Sequence, residues 1–175
     1  MKLLLHVCCA PCAIYPAETL KRENFEIMGY FYGHNIHPYT ECLKRRQTLE
    51  AYARQIGLQV IYADGYDIET FLRNVAFREA DRCNYCYHER LRSAALVAKR
   101  GKFDYFSSTL LYSKFQKHDT IRSIGEAVGK SVGVSFYYQD FRDGWKQGVE
   151  ASKELKMYRQ SYCGCIYSEK QRYFK

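Results

Sequence analysis

Two phosphate-cradling signatures are missing from this 175-residue chain. It has no Gly-x-x-x-x-Gly-Lys-Ser/Thr and no Gly-x-Gly-x-x-Gly, so ATP-driven chemistry and nicotinamide or flavin binding through those loops are disfavoured. No apolar run approaches the roughly 20 residues that cross a bilayer. Met1-Lys2-Leu3-Leu4-Leu5 faintly resembles the start of a signal peptide, but His6 ends the run too early for an apolar h-region. Internal repeats, linkers and low-complexity segments are also lacking. One domain over 1–175 is therefore expected. A chain of this size buries roughly 70% of its unfolded surface and needs no covalent staples.

What is abundant is sulfur. Eight cysteines exceed what scaffold stability asks for here, because secreted disulfide frameworks are typically much shorter. The chain reads as cytoplasmic, where thiols stay reduced and paired cysteines more often mean metal or redox chemistry. A net charge of +8 with a pI near 9.0 fits a polyanionic partner. The 17 tyrosines add rings that can stack on unpaired bases. Charge alone supports an ordinary basic surface equally well.

The chain is organised around Lys2-Leu3-Leu4-Leu5-His6-Val7-Cys8-Cys9-Ala10-Pro11-Cys12. Leu3 to Val7 has the length of a buried strand, and the segment Ala13 to Arg22 after Pro11 is suited to a helix. Strand, loop, helix is where an α/β protein places its ligands, outside the carboxyl end of a strand. Here thiols line that loop, which points to a metal instead of a phosphate. Further strands are expected at Glu26–Tyr32, Leu58–Tyr62, Phe103–Ser108 and Val134–Tyr138. Helices are expected from Thr40 (as cap) to Ile56, with Gly57 as the stop, and over Ile68–Phe77, Glu89–Lys99, Lys117–Val128 and Trp145–Leu155. Alternating strands and helices predict an α/β fold with a doubly wound parallel sheet and a cysteine-bearing C-terminal tail.

Seven cysteines fall in three groups: Cys8, Cys9 and Cys12; Cys83 and Cys86; Cys163 and Cys165. Cys42 stands alone inside a helix and reads as a small core residue. About seventy residues separate each group from the next, which a folded domain can bring together but a zinc ribbon would not use. Seven thiols exceed the four needed by one tetrahedral zinc or one iron–sulfur cluster. Adjacent Cys8 and Cys9 are expected on opposite sides of an extended segment. The economical solutions are two neighbouring metal centres, or one centre accompanied by redox thiols. Thiolates favour iron–sulfur or zinc over magnesium or calcium.

His6-Val7-Cys8-Cys9-Ala10-Pro11-Cys12, Asn35-Ile36-His37-Pro38, Arg82-Cys83-x-x-Cys86, Ser108-Thr109-Leu110-Leu111, Phe136-Tyr137-Tyr138-Gln139-Asp140-Phe141-Arg142 and Tyr158-Arg159-Gln160-x-Tyr162-Cys163-Gly164-Cys165-Ile166 together resemble the QueH family of epoxyqueuosine reductases. The resemblance runs nearly end to end. It implies a fold like the PP-loop (HUP, Rossmann-like) group, with the ATP loop replaced by cysteines. It implies reduction of the epoxide of epoxyqueuosine to an alkene in the anticodon stem-loop of a tRNA, without cobalamin. It also implies a [4Fe-4S] cluster with a nearby mononuclear metal, iron by preference, fed by an electron donor the sequence does not identify.

On that resemblance, the cluster is expected on Cys9, Cys83 and Cys86 with one of Cys163 or Cys165. The single metal would take Cys8 or Cys12, the other terminal cysteine and a carboxylate, for which Asp140 is preferred; a salt bridge to Arg142 is the competing role for Asp140. His37 is a candidate proton donor, with a loop-stabilising role beside Pro38 as its alternative, while His6 reads as buried and hydrogen-bonded. Tyr32, Asn35, Tyr112, Gln116 and Arg142 follow strands and are candidates for holding the base. Lys44-Arg45-Arg46, Lys114, Lys117, Arg159 and Lys170-Gln171-Arg172 could meet the tRNA backbone. The competing classes are an ATP-dependent iron–sulfur enzyme of tRNA sulfur transfer, a zinc-binding RNA module without activity, and a thiol–disulfide enzyme.

Overall fold

The computed structural model describes residues 1–174. Five strands, β1 (Lys2–Val7), β2 (Glu26–Phe31), β3 (Val60–Tyr62), β4 (Tyr105–Ser108) and β5 (Ser135–Phe136), form one sheet in the order β3-β2-β1-β4-β5. Every pairing is parallel, with Leu5 facing Gly29 on one side and Ser107 on the other. Leu3, Leu4 and Leu5 are wholly buried, as a central strand covered on both faces requires. The expected doubly wound parallel α/β sheet is the one found.

Helices α1 (Ala10–Arg22), α2 (Tyr39–Ile56), α3 (Ile68–Val75), α4 (Arg82–Arg100), α5 (His118–Val132), α6 (Trp145–Glu154) and α7 (Ile166–Tyr173) are accompanied by 3-10 turns at Glu79–Asp81, Thr109–Tyr112 and Arg142–Gly144. Packing pairs α1 with α2 and α6, and α4 with α5. Strand order reverses between β1 and β4. A crevice therefore opens there, at the carboxyl ends of those two strands.

Several element boundaries differ from the sequence expectation. α1 starts at Ala10, because Pro11 fits the first helical turn, where its missing N–H is no loss; Cys12 is thus inside the helix. Pro38, not Thr40, precedes the first residue of α2. α4 begins at Arg82, which puts Cys83 and Cys86 within its opening turns instead of ahead of it. The edge strands β3 and β5 are shorter than expected. α7 was not expected at all: its eight residues bury none of their side chains fully, so they carry no strong apolar stripe to reveal it.

Gly129 marks where α5 meets β5. A Cβ there would lie 2.7 Å from the Val134 carbonyl oxygen and 3.1 Å from the Phe136 amide nitrogen, and backbone cannot yield as a side chain can. Gly129→Ala is expected to lower stability by about 1–3 kcal/mol through this overpacking, measured as a loss in urea-unfolding free energy with an unchanged m-value.

Candidate metal centre

The first cysteine loop lies in the crevice. β1 ends at Val7, and Cys8 occupies a bend before α1, so strand alternation lapses at the position where it would have separated the two sulfurs. Contrary to expectation, Cys8 and Cys9 do not point apart. Their sulfurs are 3.8 Å apart, and those of Cys8, Cys9 and Cys12 all lie within 4.8 Å of one another. All three residues are buried and unoxidised. This group could bind a metal ion. The N-terminus of α1 adds a favourable field for negative charge at these sulfurs.

The neighbouring strand secures the loop. Thr109 Oγ1, just past β4, accepts the Cys8 amide N–H at 3.1 Å and donates to Cys8 Sγ at 3.3 Å. Hydrogen bonds from the Cys12 and Cys9 thiols, with that from Thr109, hold Cys8 well below the usual thiol range. Burial pushes the Cys9 thiol up, and sharing a proton with Cys8 pushes Cys12 up. Gln160 Nε2 donates to Cys9 Sγ at 3.0 Å.

The other four thiols gather from α4 and the segment before α7. Cys86 and Cys165 pack in one buried cluster with Phe71 and Val75. The charges of Cys163 and Cys165 act on Cys83, though burial is what chiefly raises the Cys83 thiol. Cys9, grouped from sequence with Cys83 and Cys86, instead has its sulfur beside Cys8 and Cys12. Cys42 is buried in the apolar core, outside both groups. Among the described residues, the trio of Cys8, Cys9 and Cys12 is the group whose sulfurs are close enough to hold a metal ion, while Cys83 and Cys86 lie in the opening turns of α4 and Cys163 and Cys165 ahead of α7.

Two buried arginines and one histidine fix this arrangement. Arg45 is 1% exposed. Its Nε donates to Glu41 Oε1 at 2.7 Å, Nη1 to the Cys163 carbonyl at 3.0 Å and Nη2 to the Tyr162 carbonyl at 3.0 Å. Glu41 also accepts the Tyr158 hydroxyl. Arg90, 3% exposed, donates through Nε to Cys86 Sγ at 3.3 Å and through Nη2 to the Asn35 carbonyl at 3.1 Å. Between the last two cysteines, Gly164 has φ +140°, and a Cβ there would lie 3.2 Å from Arg45 Nη1, so only glycine serves.

His37 does not face the reactive space. Its backbone N–H donates to the Gly164 carbonyl at 2.6 Å, its carbonyl accepts the Tyr162 hydroxyl at 2.6 Å, and its Nδ1 accepts the Ile166 N–H at 3.3 Å. Nε2 donates to the His34 carbonyl at 3.0 Å. With both ring nitrogens engaged and burial pushing it down to about 4, the ring stays neutral and braces the terminal loop. His6 is wholly buried, 2.9 Å from Ser108 Oγ through Nδ1, and pushed down to about 3 by that burial.

A cavity of about 450 Å³ joins the two thiol groups, reached by Cys8, Cys12, Cys86 and Cys163. Tyr112 and Gln116 line it; Gln116 accepts the Tyr87 hydroxyl at 2.8 Å and donates to Cys163 Sγ at 3.2 Å. Asn35 lies behind it, donating to the Cys86 carbonyl at 3.3 Å. Tyr32 and Arg142 are outside its lining. So is Asp140, expected as a metal ligand or as a salt-bridge partner of Arg142; the second role is the one seen, with the Arg142 guanidinium engaging both its oxygens at 2.9 and 2.5 Å. Three arginines (Arg90, Arg159 and Arg172) line the cavity, with no carboxylate. Sequence reasoning missed Arg90, Gln160 and Thr109 as site residues, although the last two fall in stretches that carry the resemblance.

A parallel α/β sheet whose switch point holds thiols in place of a phosphate loop defines the class: a Rossmann-like protein with a buried cysteine group that could bind a metal. Comparison with known proteins specifies it further. The family model for the epoxyqueuosine reductase QueH matches residues 3–171. The chain is 36% identical over 174 residues to the epoxyqueuosine reductase QueH of Dehalococcoides mccartyi, covering 99% of this chain and 96% of that one. It is 33% identical to that of Thermotoga maritima, covering 95% and 89%. The chain belongs to the QueH family. Among solved structures, a predicted subunit of tRNA methyltransferase from Methanocaldococcus jannaschii shares the fold, with a TM-score of 0.52 and 14% identity over 87% of this chain and 75% of that one.

Removing the Arg45 fork should be costly, because it strands a buried carboxylate and two carbonyls. Arg45→Met is expected to lose on the order of 3 kcal/mol in chemical denaturation, and Arg45→Lys to recover little of it, since an ammonium cannot span the same three acceptors. Asp140→Asn should leave the metal content of the purified protein unchanged. The Arg142 guanidinium holds the Asp140 carboxyl down to about 2. Its stabilising contribution is therefore present above the ordinary carboxylate range and fades only as pH falls towards 2, a titration that carboxyl NMR would follow.

Proposed function

We propose that this protein is an epoxyqueuosine reductase acting on the anticodon loop of a tRNA as one domain over 1–175. The observation that carries the reading is the single cavity reached by thiols from three distant segments and lined by arginines and aromatic rings without a carboxylate. Family membership supports the reaction; the geometry supports a polyanionic, base-bearing substrate beside a thiol-bound redox centre.

Converting an epoxide to an alkene takes two electrons and two protons and releases water. We assign an iron–sulfur cluster to Cys83, Cys86, Cys163 and Cys165, and a second metal, iron by preference, to Cys8, Cys9 and Cys12. When bound, these groups would supply single electrons and a Lewis acid with an open position. The chain's own residues do the rest. Arg90 and Arg45 place positive charge behind the sulfurs, offsetting the cost of burying thiolates. Gln160 and Gln116 orient Cys9 and Cys163 through their amide N–H groups. Tyr112, whose hydroxyl donates to the Trp145 carbonyl at 3.1 Å, and Leu110 supply walls for a base. Arg159 and Arg172 meet the phosphates around it. His37 acts here as a brace for the terminal loop, not as a proton donor.

The test is anaerobic purification with iron and sulfide counts, then incubation with epoxyqueuosine-containing tRNA and a reductant. Brown protein and conversion of the epoxide to the alkene without ATP are expected. Cys83→Ala should lose both colour and turnover. Colourless zinc protein, ATP-dependent sulfur transfer, or turnover that survives metal stripping would each overturn the reading.

A further inference from the structure

We infer that Phe115 is a stacking platform for an unpaired RNA base at the cavity mouth, flanking the base that enters the cavity. The inference rests on the reading that the substrate is an anticodon loop. Phe115 lines the cavity and is 84% exposed, so its ring faces stand open to solvent at the cavity's lip. Exposure here is not looseness. The segment carrying the ring is tied down on its far side by Tyr87, whose hydroxyl donates to Gln116 Oε1 at 2.8 Å and accepts the Lys117 N–H at 3.2 Å. On its near side the Phe115 N–H donates to Ser113 Oγ at 3.3 Å. The ring meets Trp145 almost perpendicularly, 80° between planes at 5.5 Å between centroids, and is otherwise bare.

The surroundings select the occupant. Lys114 and Lys117 flank the ring in sequence and are exposed, and Arg159 and Arg172 face the same cavity. Among the described residues none of these four cations is in an ion pair, and no carboxylate lines the cavity. A bare ring on an anchored segment among unpaired cations is the combination that holds single-stranded nucleic acid: faces for bases, cations for the backbone. A protein partner would be expected to meet a rim of mixed charge. The cavity, already lined by Tyr112, Leu110 and thiols, has room for about one nucleoside, so the ring at its lip takes the neighbour.

The test uses the full-length protein, purified with its metals, and a fluorescently labelled, unmodified tRNA anticodon stem-loop, with Kd read by anisotropy at fixed salt. Phe115→Ala and Phe115→Leu should weaken binding by roughly five- to 150-fold, the stacking contribution of one base. Phe115→Tyr should restore it to within about twofold of wild type. An exposed ring contributes little to the core, so matched thermal unfolding of the variants is expected. Trp145, the chain's single tryptophan, reports on the same spot: binding should change its emission in wild type and in Phe115→Tyr. Equal affinity for wild type and Phe115→Ala, full affinity in Phe115→Leu, or binding that leaves Trp145 emission untouched would overturn the inference. A wild-type protein that binds with this pattern yet leaves the epoxide of a separate, epoxyqueuosine-containing tRNA intact would instead refute the reductase reading alone.

Discussion

A buried guanidinium at Arg45 is the contact on which the site depends. Its three donors reach a carboxylate on its own helix and two carbonyls of the terminal loop, nearly 120 residues further along the chain. The planar fork satisfies all three acceptors at once. That docking holds the segment carrying Cys163 and Cys165 against α2. The Glu41 carboxylate keeps Arg45 from being a lone buried charge, which is what makes its burial tolerable. His37 reinforces the same loop from the other side, with its own amide, carbonyl and ring.

Electrostatics and topology act together here. Parallel sheets place ligands at the carboxyl ends of strands, and helix termini there favour negative charge. The common use of that corner is a phosphate held by backbone amides. In this chain the same corner carries sulfur, and the anionic charge belongs to the protein. That exchange explains the buried arginines: Arg90 has no carboxylate partner among the described residues, and its nearest anion would be the Cys86 thiolate. The result is one cavity lined by thiols, arginines and aromatic rings together, with Arg90 buried and Cys163 reaching solvent.

Membership of the QueH family and the geometry support each other from independent directions. The family match rests on residue identities along nearly the whole chain. The geometry rests on where those residues meet. Residues that carry the resemblance but lack obvious chemistry acquire roles from the structure: Thr109 ties Cys8 to the adjacent strand, Gln160 holds Cys9, and Asn35 holds Cys86 through its side chain and Arg90 through its carbonyl.

The sequence by itself determined the alternation of strands and helices, the buried central strand at Leu3–Leu5 and the surplus of thiols, because hydrophobic period and residue chemistry are local properties. It could not determine which sulfurs come close together. That depended on a bend at Cys8, which cancels the alternation of an extended strand, and on α4 beginning at Arg82, which turns Cys83 and Cys86 onto a helix. Nor could it separate Asp140 from the site. A carboxylate two residues from an arginine is captured by it, whereas the cavity is built from loops a hundred residues apart. Tertiary structure decided those matters, since the relevant distances are set by sheet order and loop docking, and neither leaves a periodic trace in the chain.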